Sequence, residues 1–410
     1  MVEFKAKAVC ILGRQPALGL AELESLYGAG HVRPAGDHAL LDIPAEEINF
    51  KNLGGTVKVA KLLDVVDSTR WSQLAKYLID VVPRHAQYLP AGKFTLGLSV
   101  YGLPVSVKQL TAGLLELKKI IRQTGRPVRI VPNKVAALNS AQVLHNQLTH
   151  KGAWELLLIK DRRRTLLAQT LFVQDIEAYA ARDQARPARD ARVGMLPPKL
   201  AQIMVNLAIG PIRLKKNDGW DKADGLGRIL VLDPFCGSGV ILQEALLMGY
   251  SVYGTDIEPR MVEYTKRNLQ WLVKNHPQLE GKVTVEQADA TSYQWPGFSA
   301  VATETYLGRP LAQLPAEDKL QQIMSDTNIV LKKFLNNLSS QSANGRTFCM
   351  AVPAWRRPGG ELIELPLLAK LTDMGYNYWD LKTARRQDLV YYREDQVVAR
   401  RLLRLVKHNR

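Results

Sequence analysis

The sequence predicts an α/β chain in which a C-terminal domain on a mostly parallel sheet follows a smaller α+β region. Three observations carry this expectation. Beyond residue 228, apolar strands alternate with helical patterns of roughly 10–15 residues or more, the rhythm of strand–helix–strand units. Residues 1–50 compress β-α-β order into one short span. A Gly-bearing turn joins strand to helix in "LVLDPFCGSGVILQEA", residues 230–245. At 410 residues the chain is long enough for two or three domains, and 46% hydrophobic with 23% charged residues is ordinary for globular protein.

In chain order, the first region reads as a strand ("AKAVCILG"), a helix ("GLAELESLYG") closed by Gly28, and a strand ("HALLDIP"). Residues 51–170 hold the helix "SVKQLTAGLLELKKIIRQTG". There Val107, Leu110, Leu114, Leu117 and Ile121 recur at helical spacing, Ser106 caps the start and Gly125 ends it. Strands "KFTLGLSVYG", "PVRIVP", "WELLLIKD" and "RTLLAQTLF" flank it, with a second helix near "SAQVLHNQL". Residues 171–198 are polar, alternately charged and Pro-containing, and read as a connector. A helix then starts at Pro198 with a stripe of Leu200, Ile203, Met204 and Leu207, and a Gly/Lys/Asp-rich loop covers 210–227. The α/β region runs from 228 through a long helix over about 316–339, a strand "RTFCMAVP", a helix "ELPLLAKLTDMG" and two closing strands. Its end carries a basic tail, read as a solvated helix. "AVPAWRRPGG" sets Trp355, Arg356 and Arg357 just after a strand, where they serve either a nucleic acid or a plain surface loop.

Charge narrows the partner. Fifty-five Lys+Arg against 39 Asp+Glu give a net charge of +16, which favours a polyanion, either nucleic acid or an acidic membrane surface. No apolar stretch approaches ~18 residues, so no membrane span is expected and RNA or DNA is the better partner. Residues 118–164 hold eleven Lys/Arg and only two acids, Glu155 and Asp161. Arg129, Arg162, Arg163 and Arg164 are the candidates offered to phosphates, and "KDRRRT" reads as a hairpin tip. Three distant cysteines, Cys10, Cys236 and Cys349, show no metal or disulfide spacing, and the N-terminal apolar run is too short for a secretory signal. A reducing, cytoplasmic setting and no metal are therefore expected.

The chemistry concentrates at strand ends. The strand "RILVLD" ends in Asp233, and the turn Phe235-Cys236-Gly237-Ser238-Gly239 opens a helix. Gly237 and Gly239 permit backbone geometries and ligand approach that a Cβ would block. A dinucleotide site would carry a third glycine at 242, where Leu stands, and Asp233 would repel pyrophosphate. That carboxylate would instead attract a cation, such as the α-ammonium of S-adenosylmethionine. The next strand ends in Asp256, placed for ribose hydroxyls, and the third ends at Asp289, near an adenine amino group. Cys236 reads as a packing residue with no base beside it.

These motifs carry a resemblance. "DPFCGSG" with "TETYLG" is similar to the first and fourth motifs of Rossmann-like, S-adenosylmethionine-dependent nucleobase amine methyltransferases. "RDQARPARDARVGMLPPKLAQIMVNLA", with "LGRQPALGLAELESLYG", "LGGTVKVAK" and "LNSAQVLHNQL", resembles the tRNA guanine-N2-methyltransferases of the position-ten type. The resemblance implies a ferredoxin-like domain at 1–50, a THUMP RNA-binding domain at 51–170, a linker at 171–198 and a Rossmann-like catalytic domain at 199–410. It also implies S-adenosylmethionine as cofactor, bound through Asp233, Phe235, Gly237, Gly239, Asp256 and Asp289. The implied partner is tRNA, with room for an activating protein partner.

One loop departs from the family pattern. An Asp/Asn-Pro-Pro-aromatic tetrapeptide usually binds the acceptor amine; here Thr303, Glu304, Thr305 and Tyr306 stand in its place. By the resemblance Tyr306 stacks on the flipped base, and Glu304 or Thr303 takes the acidic position. Thr305 is expected to leave the backbone freer than proline would, with Arg309-Pro310 restoring stiffness late. Three readings stay open: an active N-methyltransferase with a rearranged loop, a methyltransferase for another acceptor, and a noncatalytic tRNA-binding or folding factor.

Overall fold

The computed structural model describes residues 4–190, 195–214, 229–308 and 311–408. The chain divides into two compact units, residues 1–13, 30–51 and 56–178 in one, and 14–29, 52–55 and 179–410 in the other.

The first unit is one eight-stranded sheet. Strand β1 (Ala8–Leu12) leads into α1 (Pro16–Tyr27), followed by β2 (Val32–Ala35), β3 (His38–Leu41) and β4 (Thr56–Val66). Then come α2 (Trp71–Ala86), β5 (Phe94–Tyr101), α3 (Val107–Gln123), β6 (Val128–Ile130), α4 (Ser140–His145), β7 (Ala153–Asp161) and β8 (Arg164–Val173). The order across the sheet is β2-β3-β1-β4-β8-β7-β5-β6. Residues 1–50 and 51–170 thus contribute to a single sheet, with β1 and β4 paired across the position where the sequence suggested a domain boundary. Alternate residues face opposite sides: Leu156 and Leu158 pack with Leu74, Leu78, Leu110 and Leu114 of α2 and α3, and Leu157 and Ile159 pack with Val9 and Leu40. α3 starts as expected, with a capping box between Ser106 and Gln109, and Gly125 follows it in the left-handed region at φ +83°.

α1 belongs to the second unit, where it packs on α6 (Pro198–Leu214). Its Glu22 explains the attachment. The buried carboxylate accepts from the amides of Gly54 and Gly55 at 2.9 and 2.8 Å and from Asn206 Nδ2 at 2.7 Å. The stretch expected as a connector contains a helix, α5 (Ile176–Gln184), and its later residues Arg186, Ala188 and Asp190 are buried.

After α6 the second unit runs β9 (Leu230–Asp233), α7 (Val240–Leu247), β10 (Ser251–Asp256), α8 (Pro259–Asn275), β11 (Val283–Gln287), β12 (Ala300–Glu304), α9 (Glu317–Ser340) and β13 (Thr347–Arg356). β14 (Leu362–Glu364), β15 (Tyr376–Tyr378), β16 (Val390–Tyr391) and β17 (Val398–Lys407) complete it. The sheet order is β11-β10-β9-β12-β13-β17-β15, parallel from β11 through β13 and antiparallel at β17 and β15. α9 covers one face through Leu331, Phe334, Leu335 and Leu338. α6 lies on the other, where Thr347 donates to the Ala208 carbonyl at 2.7 Å.

Three segments fold differently from the sequence-based expectation. "ELPLLAKLTDMG" forms two short 3-10 turns, Pro366–Lys370 and Thr372–Met374, bounded by Pro366 and by Gly375 at φ +85°. Trp355 lies in a strand and in the core, because β17 pairs with β13 as far as Trp355↔Val398. The basic tail is no solvated helix but β17, whose Arg400, Arg401, Arg404 and Lys407 are all buried. The strand tolerates these charges because carboxylates, carbonyls and rings meet them: Arg401 pairs with Glu364, and Arg404 donates to Trp379 O at 3.1 Å and stacks on its ring.

Candidate active site

The parallel strands reverse their order of growth between β9 and β12: β10 and β11 extend to one side, β12 and β13 to the other. Ligands of open α/β sheets bind outside the strand ends at such a switch point. A cleft opens there, lined by Asp233 from the end of β9, Glu304 from the end of β12, and Phe235, Gly237, Ser238 and Met261.

The turn after β9 is held from three sides. Gly237 and Gly239 adopt φ +51° and +84°. A Cβ on Gly239 would stand 2.9 Å from Thr265 Cγ2, whereas one on Gly237 would project into open space. From α8, Thr265 donates to Gly237 O at 2.7 Å and Asn268 to Ser238 O at 2.9 Å. From β10, the Asp256 carboxylate accepts from Gly237 N at 2.8 Å and Glu258 N at 3.0 Å. Asn268 also exchanges hydrogen bonds with the Ala188 backbone at 3.0 and 2.9 Å, tying the stretch after α5 to the turn.

Asp233 is 1% exposed. Its Oδ1 accepts from Thr303 Oγ1 at 2.6 Å and from Phe235 N at 3.3 Å. No lysine, arginine or histidine among the described residues forms an ion pair with it. Burial, reinforced by the Asp256 and Glu304 carboxylates, pushes its acid group up to about 8. Cys236 is buried as well, and burial raises its thiol far out of the nucleophilic range.

The acceptor loop splits its residues. Thr303 points to Asp233 and is fully buried, while its neighbour Glu304 faces the cleft. Glu304 is ion-paired through Oε1 with Nε of Arg400 on β17; burial raises its acid group and Arg400 opposes the rise. Thr305 is not the loose position expected. Its amide and hydroxyl donate to the Ala351 carbonyl at 3.0 and 3.2 Å, so two hydrogen bonds stand where proline's fixed φ was missing. Tyr306 is 47% exposed, Gly308 follows at φ +84°, and Arg309-Pro310 lies outside the described residues.

Among the other sequence-derived candidates, Phe235 lines the cleft and packs edge-on against Phe334, and Gly239 caps α7 beneath it. Asp289 is exposed beyond the end of β11, its Oδ1 accepting from Thr291 N at 2.8 Å. In the first unit, Arg162 (φ +58°) and Arg163 form the tip of the β7–β8 hairpin, and Arg164 lies 3.6 Å from Asp161. Arg129, on edge strand β6, donates to Asn146 Oδ1 at 2.8 Å. Sequence reasoning missed Asp190, Met195 and Leu196, which line the cleft from the supposed connector, and Arg400, hidden in the supposed tail. Their charges and irregular spacing gave no periodic signal.

The model of UPF0020, the RMKL-like methyltransferase domain, matches residues 186–339, the stretch that builds the cleft. A Methanothermococcus thermolithotrophicus protein named "Probable tRNA (guanine(10)-N2)-dimethyltransferase" is 30% identical over 154 residues, 36% of this chain and 82% of the relative. The chain belongs to the tRNA (guanine(10)-N2)-dimethyltransferase family. The member of that name from Methanothermobacter thermautotrophicus is 34% identical over 206 residues, 49% of this chain and 51% of its own, so the match spans about half of that relative. The fold of this family member also resembles the crystal structure of TrmN from Thermus thermophilus, with a TM-score of 0.50 at 17% identity, covering 98% of this chain and 100% of that one.

Proposed function

We propose that the chain is an S-adenosylmethionine-dependent methyltransferase acting on the exocyclic N2 of a guanosine in tRNA, of the position-ten type. The observation that carries this reading is Asp233: a buried carboxylate with no cation beside it among the described residues, at the switch point of the sheet. Asp190, ion-paired with Arg260 at 3.0 Å, and Glu304, ion-paired with Arg400, also line the cleft, so Asp233 is the lining carboxylate left to meet a cationic ligand. Gly237 lines the cleft, and because a Cβ there would project into open space its bare backbone leaves room for an approaching adenosyl group. Bound there, S-adenosylmethionine supplies an electrophilic methyl group.

The roles of the chain's own residues follow. Asp233 receives the α-ammonium, and Thr303, donating to it, fixes its orientation. Asp256 and Asp289 hold the ribose and adenine sides; each Asp256 oxygen keeps a lone pair beyond its backbone bond. Phe235 walls the cleft. Glu304 offers Oε2 to the N–H groups of the acceptor amine and orients its lone pair for direct in-line transfer. Tyr306, with its ring in solvent, stacks on the flipped guanine. No covalent enzyme intermediate and no metal takes part. The N-terminal half, a ferredoxin-like segment at 1–50 and a THUMP-like segment at 51–170, grips tRNA, with Arg129, Arg162, Arg163 and Arg164 offered to phosphates. Of the segment 171–198, the part from Tyr179 onward belongs to the catalytic unit and helps to line its cleft, and the protein works in the cytoplasm.

Glu304's pairing with Arg400 favours one second reading, a tRNA-binding factor whose acceptor loop is closed by that pair. Incubation of unmodified tRNA with methyl-labelled S-adenosylmethionine, followed by nucleoside analysis, separates the two. N2-methylguanosine is the expected product; tRNA retarded on a gel yet unlabelled across a full tRNA pool supports the factor instead.

A further inference from the structure

Arg186, just after α5, is a buried cation without an adequate partner among the described residues. Its side chain is 0% exposed, and the only carboxylate in ion-pair reach among the described residues, Asp183, lies 4.0 Å away. Nη1 reaches Ser238 Oγ at 3.4 Å, Nη2 reaches the thioether of Met195 at 3.3 Å, and Nε has no hydrogen-bond partner among the described residues. Neither contact compensates a guanidinium: the first is long, and a thioether is a weak acceptor. The nearby Glu244 is already engaged by Arg182 at 2.9 Å, and Arg189 adds like charge. A cation kept in such surroundings is costly unless something else supplies the anion. Ser238 and Met195, which Arg186 touches, both line the cleft at the turn after β9.

We propose that Arg186 binds the carboxylate at the amino-acid end of the ligand in this cleft. The assignment rests on the methyl-donor reading above. Asp233, on the same cleft, meets the ammonium, so the two residues read opposite charges of one zwitterion. A planar guanidinium suits this task because it presents two parallel N–H groups to a carboxylate. Met195 acts as a placeholder whose sulfur yields to the stronger acceptor.

The test compares three compounds on the full chain by calorimetry: S-adenosylhomocysteine, its carboxamide, and 5′-methylthioadenosine, which lacks the amino-acid end. The wild type should bind S-adenosylhomocysteine about ten- to a hundredfold more tightly than the carboxamide. Arg186→Met should lose that same factor for S-adenosylhomocysteine, leave 5′-methylthioadenosine within about twofold, and no longer distinguish the carboxamide. Arg186→Lys should recover part of the preference. Equal affinity of the wild type for the acid and the amide overturns the assignment without any variant. Equal losses for S-adenosylhomocysteine and 5′-methylthioadenosine in Arg186→Met overturn it in favour of a structural role. Failure of the wild type to bind any of the three removes the methyl-donor reading and this assignment with it.

Discussion

At the residue scale, Asp233 joins enclosure to the lack of a neighbouring cation among the described residues, and the combination has consequences for pH. With its acid group raised to about 8 in the ligand-free protein, the carboxyl holds a proton at neutral pH. A cationic ligand favours the ionised form, so binding below that value expels a proton. The affinity for S-adenosylhomocysteine should therefore rise with pH, by up to about tenfold per unit, and level off near pH 8. Calorimetry over that range checks it, and a flat profile counts against the ammonium contact. The stability linkage runs the other way. A carboxyl raised above its unfolded value stabilises the fold fully below that unfolded value, and the contribution is lost as pH rises toward about 8. Asp233→Asn should accordingly melt no lower than the wild type at neutral pH while losing ligand affinity. Glu304 makes the complementary case. Arg400 opposes the burial that raises its acid group, and the Glu304 carboxylate in turn helps to raise that of Asp233. Arg400→Gln should move the acid limb of the kcat–pH profile to higher pH; an unmoved limb would show that Glu304 ionisation does not govern turnover.

At the scale of elements, the turn after β9 assigns different work to its two glycines. Gly239→Ala forces a Cβ to 2.9 Å from Thr265 at φ +84°, and should cost about 1–3 kcal/mol in denaturant unfolding. Gly237→Ala meets no protein atom within 4 Å, so its larger effect should fall on ligand affinity. A drop in affinity confined to the Gly239 variant would reverse these roles. This turn, the acidic ends of β9 and β10 and the Ser106 cap of α3 were legible in the sequence because local backbone demands dictate those residue types, whereas β11 ends at Gln287, short of Asp289. The long-range pairings were not. Charges in "VVARRLLRLVK" suggested solvent, yet Glu304, Glu364 and the Trp379 carbonyl meet them inside the sheet. The connector after β8 hid Asp190 and Met195 for the same reason: no periodicity marks a segment whose place is set by Asn268 of a distant helix. Thr305, read as a loss of rigidity, proved to be pinned by hydrogen bonds that its sequence neighbours do not announce.

At the scale of the whole molecule, a net charge of +16 sets how the chain meets a polyanion. If the hairpin tip touches tRNA phosphates, changing Arg162, Arg163 and Arg164 together to Ala should weaken tRNA binding and flatten log K against log salt by about two to three units of slope. An unchanged slope would take that tip out of the interface. In the proposed function the divergent loop at the end of β12 is a working acceptor site, and one comparison tests this without any structural intermediary. Methyl transfer from labelled S-adenosylmethionine to tRNA should be measured for the wild type and for Glu304→Ala at saturating donor, with S-adenosylhomocysteine binding as the control. The wild type should yield N2-methylguanosine and the variant should lose about a hundredfold or more, with ligand binding retained. Methylation by Glu304→Ala at the wild-type rate would contradict that role of the loop.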